Sequence, residues 1–354
     1  MLLLALLSLA GCAGQQTARP AVQARLSELA TSQQQWSGIA VSRQGRVFVS
    51  YPRRSGSWHP SVAELLPSGQ VRPYPGGTWN TRPSDPAVRP VNYFISVQGL
   101  CVDPADFLWV LDGANPGSTG VVAGGPKLVR VDLRSNRVLQ VIEIPAEVAL
   151  PASYLLDLRV DLRTGTAFIS DSGLGAIVVV DLAAGTSRRL LDGHPSVTSE
   201  GKVINVGGKA WRLPDGSLPE VHLSGLALTP DSQYLYYQVL TGRSLYRVPT
   251  AVLRNPELSE AEVDGAVQLV GQTCVADALL FAADGMLYLT DVEHGAIRRL
   301  NRRGELEVVI ADPRLSWPDR LAIDNDGALY FTTSQRHQPP GSGPYRLFRL
   351  EIRG

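Results

Sequence analysis

Short stretches of alternating apolar and polar residues recur in pairs along the chain, and a turn containing Gly or Asp joins the two members of each pair. One pair reads RLAIDNDGALYFTT from Arg320. Related pairs begin at Gly38, Gly99, Leu158, Gly225 and Ala278. An apolar period of two is that of a half-buried strand, so each pair predicts a β-hairpin. The same period excludes a helical solenoid.

A third and often a fourth strand follows most of these hairpins, as in the AIVVVD segment after Leu158. Units of four short antiparallel strands, spaced by roughly 40 to 70 residues, are typical of β-propeller blades. Two β-sandwiches are the alternative, but they give no reason for one unit to recur. The pattern therefore predicts an all-β, six-bladed β-propeller of four-stranded antiparallel blades.

Ring closure needs the two ends of the chain. The C-terminal YRLFRLEIRG supplies a late strand of blade six, and ARLSELATS near the start precedes blade one. Because an unpaired edge would expose backbone donors and acceptors, we expect the strand around Arg25 to Thr31 to complete blade six. The propeller is then expected to span residues 25–354.

The first twelve residues, MLLLALLSLAGC, contain an apolar run too short to span a bilayer as a helix. The run ends in a lipobox-like Leu-Ala-Gly-Cys, which predicts a lipoprotein signal peptide over 1–12 and a lipid on Cys12. Residues 13–24 read as a flexible tether. An ordinary secretory signal and a disordered start are the alternatives. We expect either secretion or attachment to a membrane of a bacterial envelope. In the second case, Ala13 after the cysteine favours the outer membrane.

The charge balance excludes one class of partner. The 354 residues include 33 basic and 33 acidic side chains, with no basic run, so we expect no nucleic-acid binding. After Cys12 only Cys101 and Cys274 remain, and their spacing favours neither a disulfide nor a zinc site. We expect a monomer.

Residues just before the first strand of each blade lie at one mouth of a propeller's channel. These positions are Ser37, Gln98, Asp157, Ser224, Asp277 and Asp319. Polar groups that converge in a concave region are typical of a ligand site. We expect such a site to be formed by all of these residues except Ser37. Carboxylates brought together need a positive partner.

That partner could be a divalent cation such as Ca²⁺ on Asp157, Asp277 and Asp319, since carboxylate oxygens suit such ions. It could also be an organic amine, or an arginine of the chain such as Arg320. The last alternative is that each aspartate caps a separate turn.

For the other polar residues we expect either a structural role or no specific role. Asp112, Asp171 and Asp291 each end a second strand before a Gly-containing turn, as turn caps do. A long insertion runs between His194 and His222 and could cover the channel or pack on a blade. The sequence contains no nucleophile elbow, HExxH, P-loop or dinucleotide motif.

Several segments resemble the yellow/major royal jelly protein family. They include SVQGLCVDPADFLWVLD, the DSG to HPS stretch from Asp171, and GLALTPDSQYLYYQVLTGRSLYRVPT. The resemblance runs from about Leu29 to the end and implies a propeller fold and secretion. Members of the family act as binders of small ligands, as pigment-pathway proteins or as nutritional proteins.

The sister family of regucalcin-like gluconolactonases uses Glu, two Asn and Asp to hold a divalent metal. Asp319 matches its Asp, but Ser37 and Ser224 stand where Glu and Asn are expected. We therefore expect binding of a small molecule or cation in the channel. The alternatives are a metal-dependent hydrolase of lactones or esters and a protein-interaction scaffold.

Overall fold

The computed structural model describes residues 23–53, 60–85, 87–339 and 341–353. These residues form six four-stranded antiparallel sheets and one short hairpin, which confirms the predicted six-bladed propeller. The predicted signal peptide, Cys12 and all of the tether except residues 23 and 24 lie outside the described residues.

The strands follow the chain from blade to blade, from the innermost strand outward. The chain starts with β1 (Gln23–Ser32). Blade one is β2 (Ile39–Val41), β3 (Val47–Ser50), β4 (Val62–Leu65) and β5 (Val71–Pro73). Blade two is β6 (Val97–Val102), β7 (Phe107–Asp112), β8 (Lys127–Asp132) and β9 (Arg137–Glu143). Blade three is β10 (Leu155–Asp161), β11 (Thr166–Asp171), β12 (Ala176–Asp181) and β13 (Thr186–Leu190).

The hairpin β14 (Asn205–Val206) and β15 (Lys209–Ala210) lies in the insertion before blade four. Blade four is β16 (Leu223–Leu228), β17 (Tyr234–Val239), β18 (Ser244–Pro249) and β19 (Gln268–Gln272). Helices α1 (Thr250–Arg254) and α2 (Glu260–Gly265) separate its last two strands. Blade five is β20 (Ala276–Phe281), β21 (Leu287–Asp291), β22 (Ala296–Leu300) and β23 (Leu306–Ala311). Blade six is β24 (Pro318–Ile323), β25 (Leu329–Thr333), β26 (Tyr345–Arg353) and, outermost, β1.

The N-terminal strand closes the ring as predicted. β1 pairs antiparallel with β26 from Gln23 opposite Arg353 to Ser32 opposite Tyr345. The strand begins at Gln23, two residues before the predicted start of the propeller, because pairing continues to the end of β26. Blade six is thereby built from both ends of the described chain.

Apolar cores lie between neighbouring blades. Six clusters of buried side chains each join two adjacent sheets, and one of them joins blades one and six across the closure. Trp109, Tyr237, Tyr288 and Tyr330 are buried in these clusters, and Tyr236 packs against one. The apolar positions of the strands therefore pack between neighbouring blades.

The loops after the second strand of each blade and the insertion share one face of the disc, here called the upper face. Gln23 begins at the opposite, lower face, because β1 runs antiparallel to β26. In the described residues no helix is long and apolar enough to cross a membrane. Cys101 and Cys274 are both free thiols.

Candidate functional site at the channel mouth

Five of the predicted channel positions lie in β-bulges of the innermost strands. The strand register shifts around Gln98, Asp157, Ser224, Asp277 and Asp319. A bulge adds a residue to one strand and redirects its side chain. The repeated bulge explains why a polar residue can stand near the axis in an otherwise apolar strand.

The Arg320 guanidinium is the centre around which the predicted aspartates gather. Its Nη1 donates to the Asp277 carbonyl at 2.8 Å, and Nη2 lies 3.4 Å from Asp277 Oδ1. Its Nε lies 3.5 Å from Asp319 Oδ1. Burial opposes the charge of Arg320, but Asp277, Asp319 and Asp157 outweigh it and raise the Arg320 pKa. Arg320 therefore lies beside two of the three carboxylates, Asp277 and Asp319.

Asp277 is buried and has donors on several sides. The Ser224 hydroxyl donates to Oδ1 at 2.7 Å, and Trp317 Nε1 donates to Oδ2 at 2.8 Å. Arg336 Nη1 lies 3.3 Å from the same Oδ2. Burial works against ionisation, but Arg320, Arg336 and these hydrogen bonds hold the pKa of Asp277 below its ordinary value.

Asp319 has a different environment, although it follows Asp277 by one blade. Its Oδ1 is buried without a hydrogen-bond partner in the described residues. Burial and the nearby Asp277 charge raise the pKa of Asp319 to about 6, against the opposing effect of Arg320 and Arg336. Neighbouring carboxylates whose pKa values are driven apart in this way are common at functional sites.

Asp157 and Gln98 differ in how fully they are bonded. Asp157 accepts from Leu226 N at 3.0 Å and from Arg159 Nη1 at 2.9 Å. Arg159 also reaches the Leu279 carbonyl at 2.7 Å, so it links blades three and five. Gln98 Nε2 lies 3.3 Å from the Ser96 hydroxyl, and its Oε1 is buried without a partner among the described residues.

Each aspartate of the predicted metal site lies beside an arginine. Within the described ranges, no three His, Cys, Asp or Glu side chains are grouped so that they could hold a metal ion. Three arginines, Arg159, Arg320 and Arg336, instead contact Asp157, Asp277 and Asp319. The three guanidinium groups therefore balance the three carboxylates in number, and binding of Ca²⁺ or an amine here stays a prediction.

A cavity of about 500 Å³ lies among the upper-face loops of blades two, three and six and the end of the insertion, and it shares Arg336 with this cluster. Tyr154, Ser172, Asn115, Glu220 and Arg336 are among the residues that line it, and we call it the axial cavity. Arg336 connects the cavity to Asp277 below. Glu220 comes from the insertion, which therefore contributes to the wall of this cavity.

The second set of aspartates is structural, as predicted, and each also contacts a cation. Asp112 accepts from Ile95 N and Ser96 N, and pairs with the fully buried Lys127 at 2.7 Å. The equivalent pairs are Asp171 with Arg189 and Asp291 with Arg298. These pairs bind the second strand of a blade to its third or fourth strand.

The histidines that flank the insertion hold it in place. His194 Nδ1 lies 2.8 Å from the Ser196 hydroxyl, which in turn contacts Tyr237 Oη. His222 Nδ1 accepts from Ser199 N at 2.9 Å. Neither lines the axial cavity.

Hydroxyls on the second strands form a repeated link that sequence reasoning missed. Ser50 bonds Gly38 N in its own blade and the Gln98 carbonyl in the next. Ser170 repeats the pattern with Asp157 N and the Ser224 carbonyl. Thr290 and Thr332 stand at the corresponding place. Aligning the six copies would have revealed these residues, because a hydroxyl recurs near the end of the second strand in four of them. Arg336 has no such signal, because it lies in a loop of unique sequence.

Comparison with known proteins identifies the family. The sequence model of the family described as "Major royal jelly protein" matches residues 95–339. Major royal jelly protein 6 of Apis mellifera is 25% identical over 256 residues, which cover 70% of this chain and 55% of that protein. Major royal jelly protein 2 of the same organism is 27% identical over 234 residues, or 62% of this chain and 50% of that protein. The chain spans about half the length of these relatives.

Solved structures share the fold. A gluconolactonase from Xanthomonas campestris superposes with a TM-score of 0.57 at 16% identity, covering 93% of this chain and 90% of that one. A streptogramin B lyase gives a TM-score of 0.55 at 12% identity, covering 93% and 98%. At such low identity these likenesses concern architecture alone. The sequence match over most of the six-bladed ring is the stronger finding, and by it the chain belongs to the major royal jelly protein family.

Proposed function

We propose that the propeller binds a small, hydroxyl-rich organic molecule in the axial cavity. The observation that carries the proposal is a group of buried polar atoms without hydrogen-bond partners in the described residues. They are Gln98 Oε1, Arg159 Nε, Asp319 Oδ1, and Arg320 Nε and Nη2. The last three lie at ion-pair distance from an opposite charge but make no hydrogen bond. Their residues do not line the axial cavity, and Arg336 links the cavity to Asp277. Buried polar groups are nearly always hydrogen-bonded, so this concentration indicates a place where a ligand or ordered water supplies the partners.

The chemistry of these atoms argues for the ligand class. The two oxygens accept hydrogen bonds, and the arginine nitrogens donate them. A hydroxyl group does both, so a molecule with several hydroxyls fits the set. The charge balance of the three aspartates and three arginines disfavours a ligand with a net positive charge. A cavity of about 500 Å³ lies within the usual range of about 300 to 1,000 Å³ for small-molecule sites.

The test combines ligand retention with a charge variant. Native mass spectrometry of the full chain should detect a retained small molecule, and calorimetry should detect binding of glucose or gluconate in preference to putrescine or Ca²⁺. Arg336→Met should weaken that binding at least about tenfold, because it removes the donor that connects the cavity to Asp277.

Arg303→Met is the matched control, because Arg303 is exposed in the turn between β22 and β23, away from the axial cavity. It should leave binding unchanged. The proposal fails if no molecule is retained and neither glucose nor gluconate binds, or if binding is insensitive to Arg336→Met. The lactonase and scaffold functions stay predictions, and assaying glucono-lactone hydrolysis with the same variants tests the first of them.

A further inference from the structure

Arg336 belongs both to the wall of the axial cavity and to the charged cluster at the channel mouth. Its Nη1 lies 3.3 Å from Asp277 Oδ2, and its side chain is 12% exposed. Its Nε and Nη2 make no hydrogen bond in the described residues and, unlike Arg320 Nε, they are not buried. These two nitrogens are therefore donors that a ligand in the axial cavity can reach.

The carboxylates that balance Arg336 are shared with Arg320. Both guanidinium groups lie beside Asp277, and Arg320 Nε also lies 3.5 Å from Asp319 Oδ1. When Asp319 is ionised, these two guanidinium groups face two carboxylates. When Asp319 is neutral, they share the single charge of Asp277, so the group gains one positive charge. Because the aspartates are buried, water screens this change only weakly.

The groups that face Asp319 allow it to change its charge near neutral pH. Burial and the Asp277 charge raise the pKa of Asp319 to about 6. Arg320, Arg336 and the Ser334 hydroxyl act in the opposite direction. Asp319 and Arg336 therefore interact electrostatically, and the coupling is reciprocal. A negative charge bound on Arg336 favours neutral Asp319, and neutral Asp319 favours that bound charge to the same extent.

Glu220 is the other charged side chain among the lining residues of the axial cavity. It lies at the exposed end of the insertion. A negative charge there opposes an anionic ligand whether Asp319 is neutral or ionised, so it does not distinguish the two states of Asp319. Ser118, Tyr154 and Ser172 also line the cavity and add hydroxyl-bearing side chains to its wall.

We propose that the charge of Asp319, acting through Arg336, determines which hydroxyl-rich ligand the axial cavity prefers. With Asp319 neutral, the cavity favours a hydroxy-carboxylate, whose carboxylate accepts from Arg336 Nε and Nη2. With Asp319 ionised, that preference is weakened relative to an uncharged polyol. Asp319 does not touch the ligand and is a positioning residue. The inference rests on the proposed function, because it concerns ligands of the same cavity.

Calorimetry of the full chain with gluconate and with glucitol, at about pH 8 and about pH 5, tests the proposal. Glucitol carries a CH₂OH group where gluconate carries its carboxylate, and gluconate stays ionised at both pH values. The gluconate affinity of the wild type should rise about three- to tenfold at the lower pH, because Asp319 takes up its proton as the pH falls through about 6. The glucitol affinity should stay constant.

Asp319→Asn imitates the neutral carboxyl. It should bind gluconate at the higher pH about as tightly as the wild type does at the lower pH, with no remaining pH dependence. Asp326→Asn is the matched control, because Asp326 is exposed in the turn between β24 and β25 and should keep the wild-type profile. Glu220→Gln removes the other carboxyl of the cavity lining and should also keep it.

A gluconate affinity of the wild type that is equal at the two pH values would overturn the inference and leave the proposed function standing. So would a pH dependence that persists in Asp319→Asn or disappears in Glu220→Gln. Binding of neither ligand at either pH would overturn both. Thermal melting shows whether each variant is folded, and the wild-type profile alone decides the question if Asp319→Asn does not fold.

Discussion

At the axis of the propeller, the pKa of each carboxyl depends on the hydrogen bonds that it accepts and on the charges around it. Asp277 has Arg320 and Arg336 together with two neutral donors, so its charge is stabilised although it is fully buried. Asp319 shares the same arginines but has an unbonded oxygen and the Asp277 charge nearby. Two aspartates at equivalent repeat positions therefore have opposite pKa shifts.

The raised pKa of Asp319 predicts a specific pH dependence of stability. A carboxyl whose folded-state pKa is about 6, above its ordinary value of 3.8, binds its proton more tightly in the folded state. Its contribution to stability is therefore greatest below pH 4 and is lost as the pH rises to about 6. Asp319→Asn should gain stability relative to wild type over that window, by on the order of 2 kcal/mol at pH 7 compared with pH 4.

Urea denaturation of both proteins at several pH values measures this difference. Asp326→Asn is the control, because Asp326 is exposed in the turn after β24 and should show a nearly constant offset from wild type. A stability difference between Asp319→Asn and wild type that does not change from pH 4 to pH 7 would contradict the assigned environment.

The buried pair of Lys127 and Asp112 predicts a large cost of removing one partner. Both side chains are fully buried, and Lys127 Nζ also donates to the Gly125 and Pro90 carbonyls. Lys127→Met leaves the Asp112 charge without its partner and should destabilise the protein by about 3 to 5 kcal/mol. The double variant Lys127→Met with Asp112→Asn should recover part of that loss. Equal stabilities of the single and double variants in urea denaturation would show that the pair is not coupled.

At the scale of strands, the architecture depends on the closure of the ring by β1. β1 supplies the outer strand of blade six along its whole length, and Arg346 adds an ion pair to Glu28 at 2.7 Å. The innermost strands are joined separately, by the hydroxyls that bridge one blade to the carbonyl of the next. Closure at the rim and bridging at the axis therefore use different interactions.

Two truncations separate the strand from the segment before it. Deleting residues 13–22 should leave the melting temperature unchanged, because β1 begins at Gln23. Deleting residues 13–32 removes all of β1, exposes the edge of β26 and should lower the melting temperature by several degrees. Scanning calorimetry of the two proteins makes the comparison, and equal melting temperatures would refute a stabilising role for β1.

At the scale of the whole molecule, the position of the N-terminus gives the predicted lipid anchor an orientation. β1 starts at the lower face, whereas the axial cavity lies on the upper face. The twelve residues from Cys12 to Gln23 reach at most roughly 40 Å when extended. We propose that a lipid on Cys12 would hold the lower face toward the membrane and leave the axial cavity open to solution.

Cell fractionation tests the anchor. Cys12→Ser should move the protein from the membrane fraction to the soluble fraction, because two or more acyl chains are what make such attachment stable. Cys101→Ser is the matched control and should stay with the membrane. Retention of Cys12→Ser in the membrane fraction would show that another part of the chain anchors it.

The hairpins, the blade count and the closing strand could all be predicted, because they follow from local periodicity and from the need to pair an exposed edge. The channel-facing positions were also predictable, since the repeat places Gln98, Asp157, Ser224, Asp277 and Asp319 at one register. What the pattern could not provide was the partner of each charge. A cation on three aspartates and an internal arginine are equally consistent with the same sequence.

Tertiary structure brings arginines to the aspartates, because several partners come from segments that are distant in sequence or from other blades. Arg336 and Trp317 reach Asp277 from loops around blade six, and Arg159 crosses from blade three to blade five. A cavity beside blade five likewise forms where the insertion around Val206 meets the loop that carries His337. The sequence by itself determined the ring, because strand pairing is encoded by alternation along the chain. The charge balance at its axis was decided only by folding, because side chains distant in sequence meet there in a space with little water.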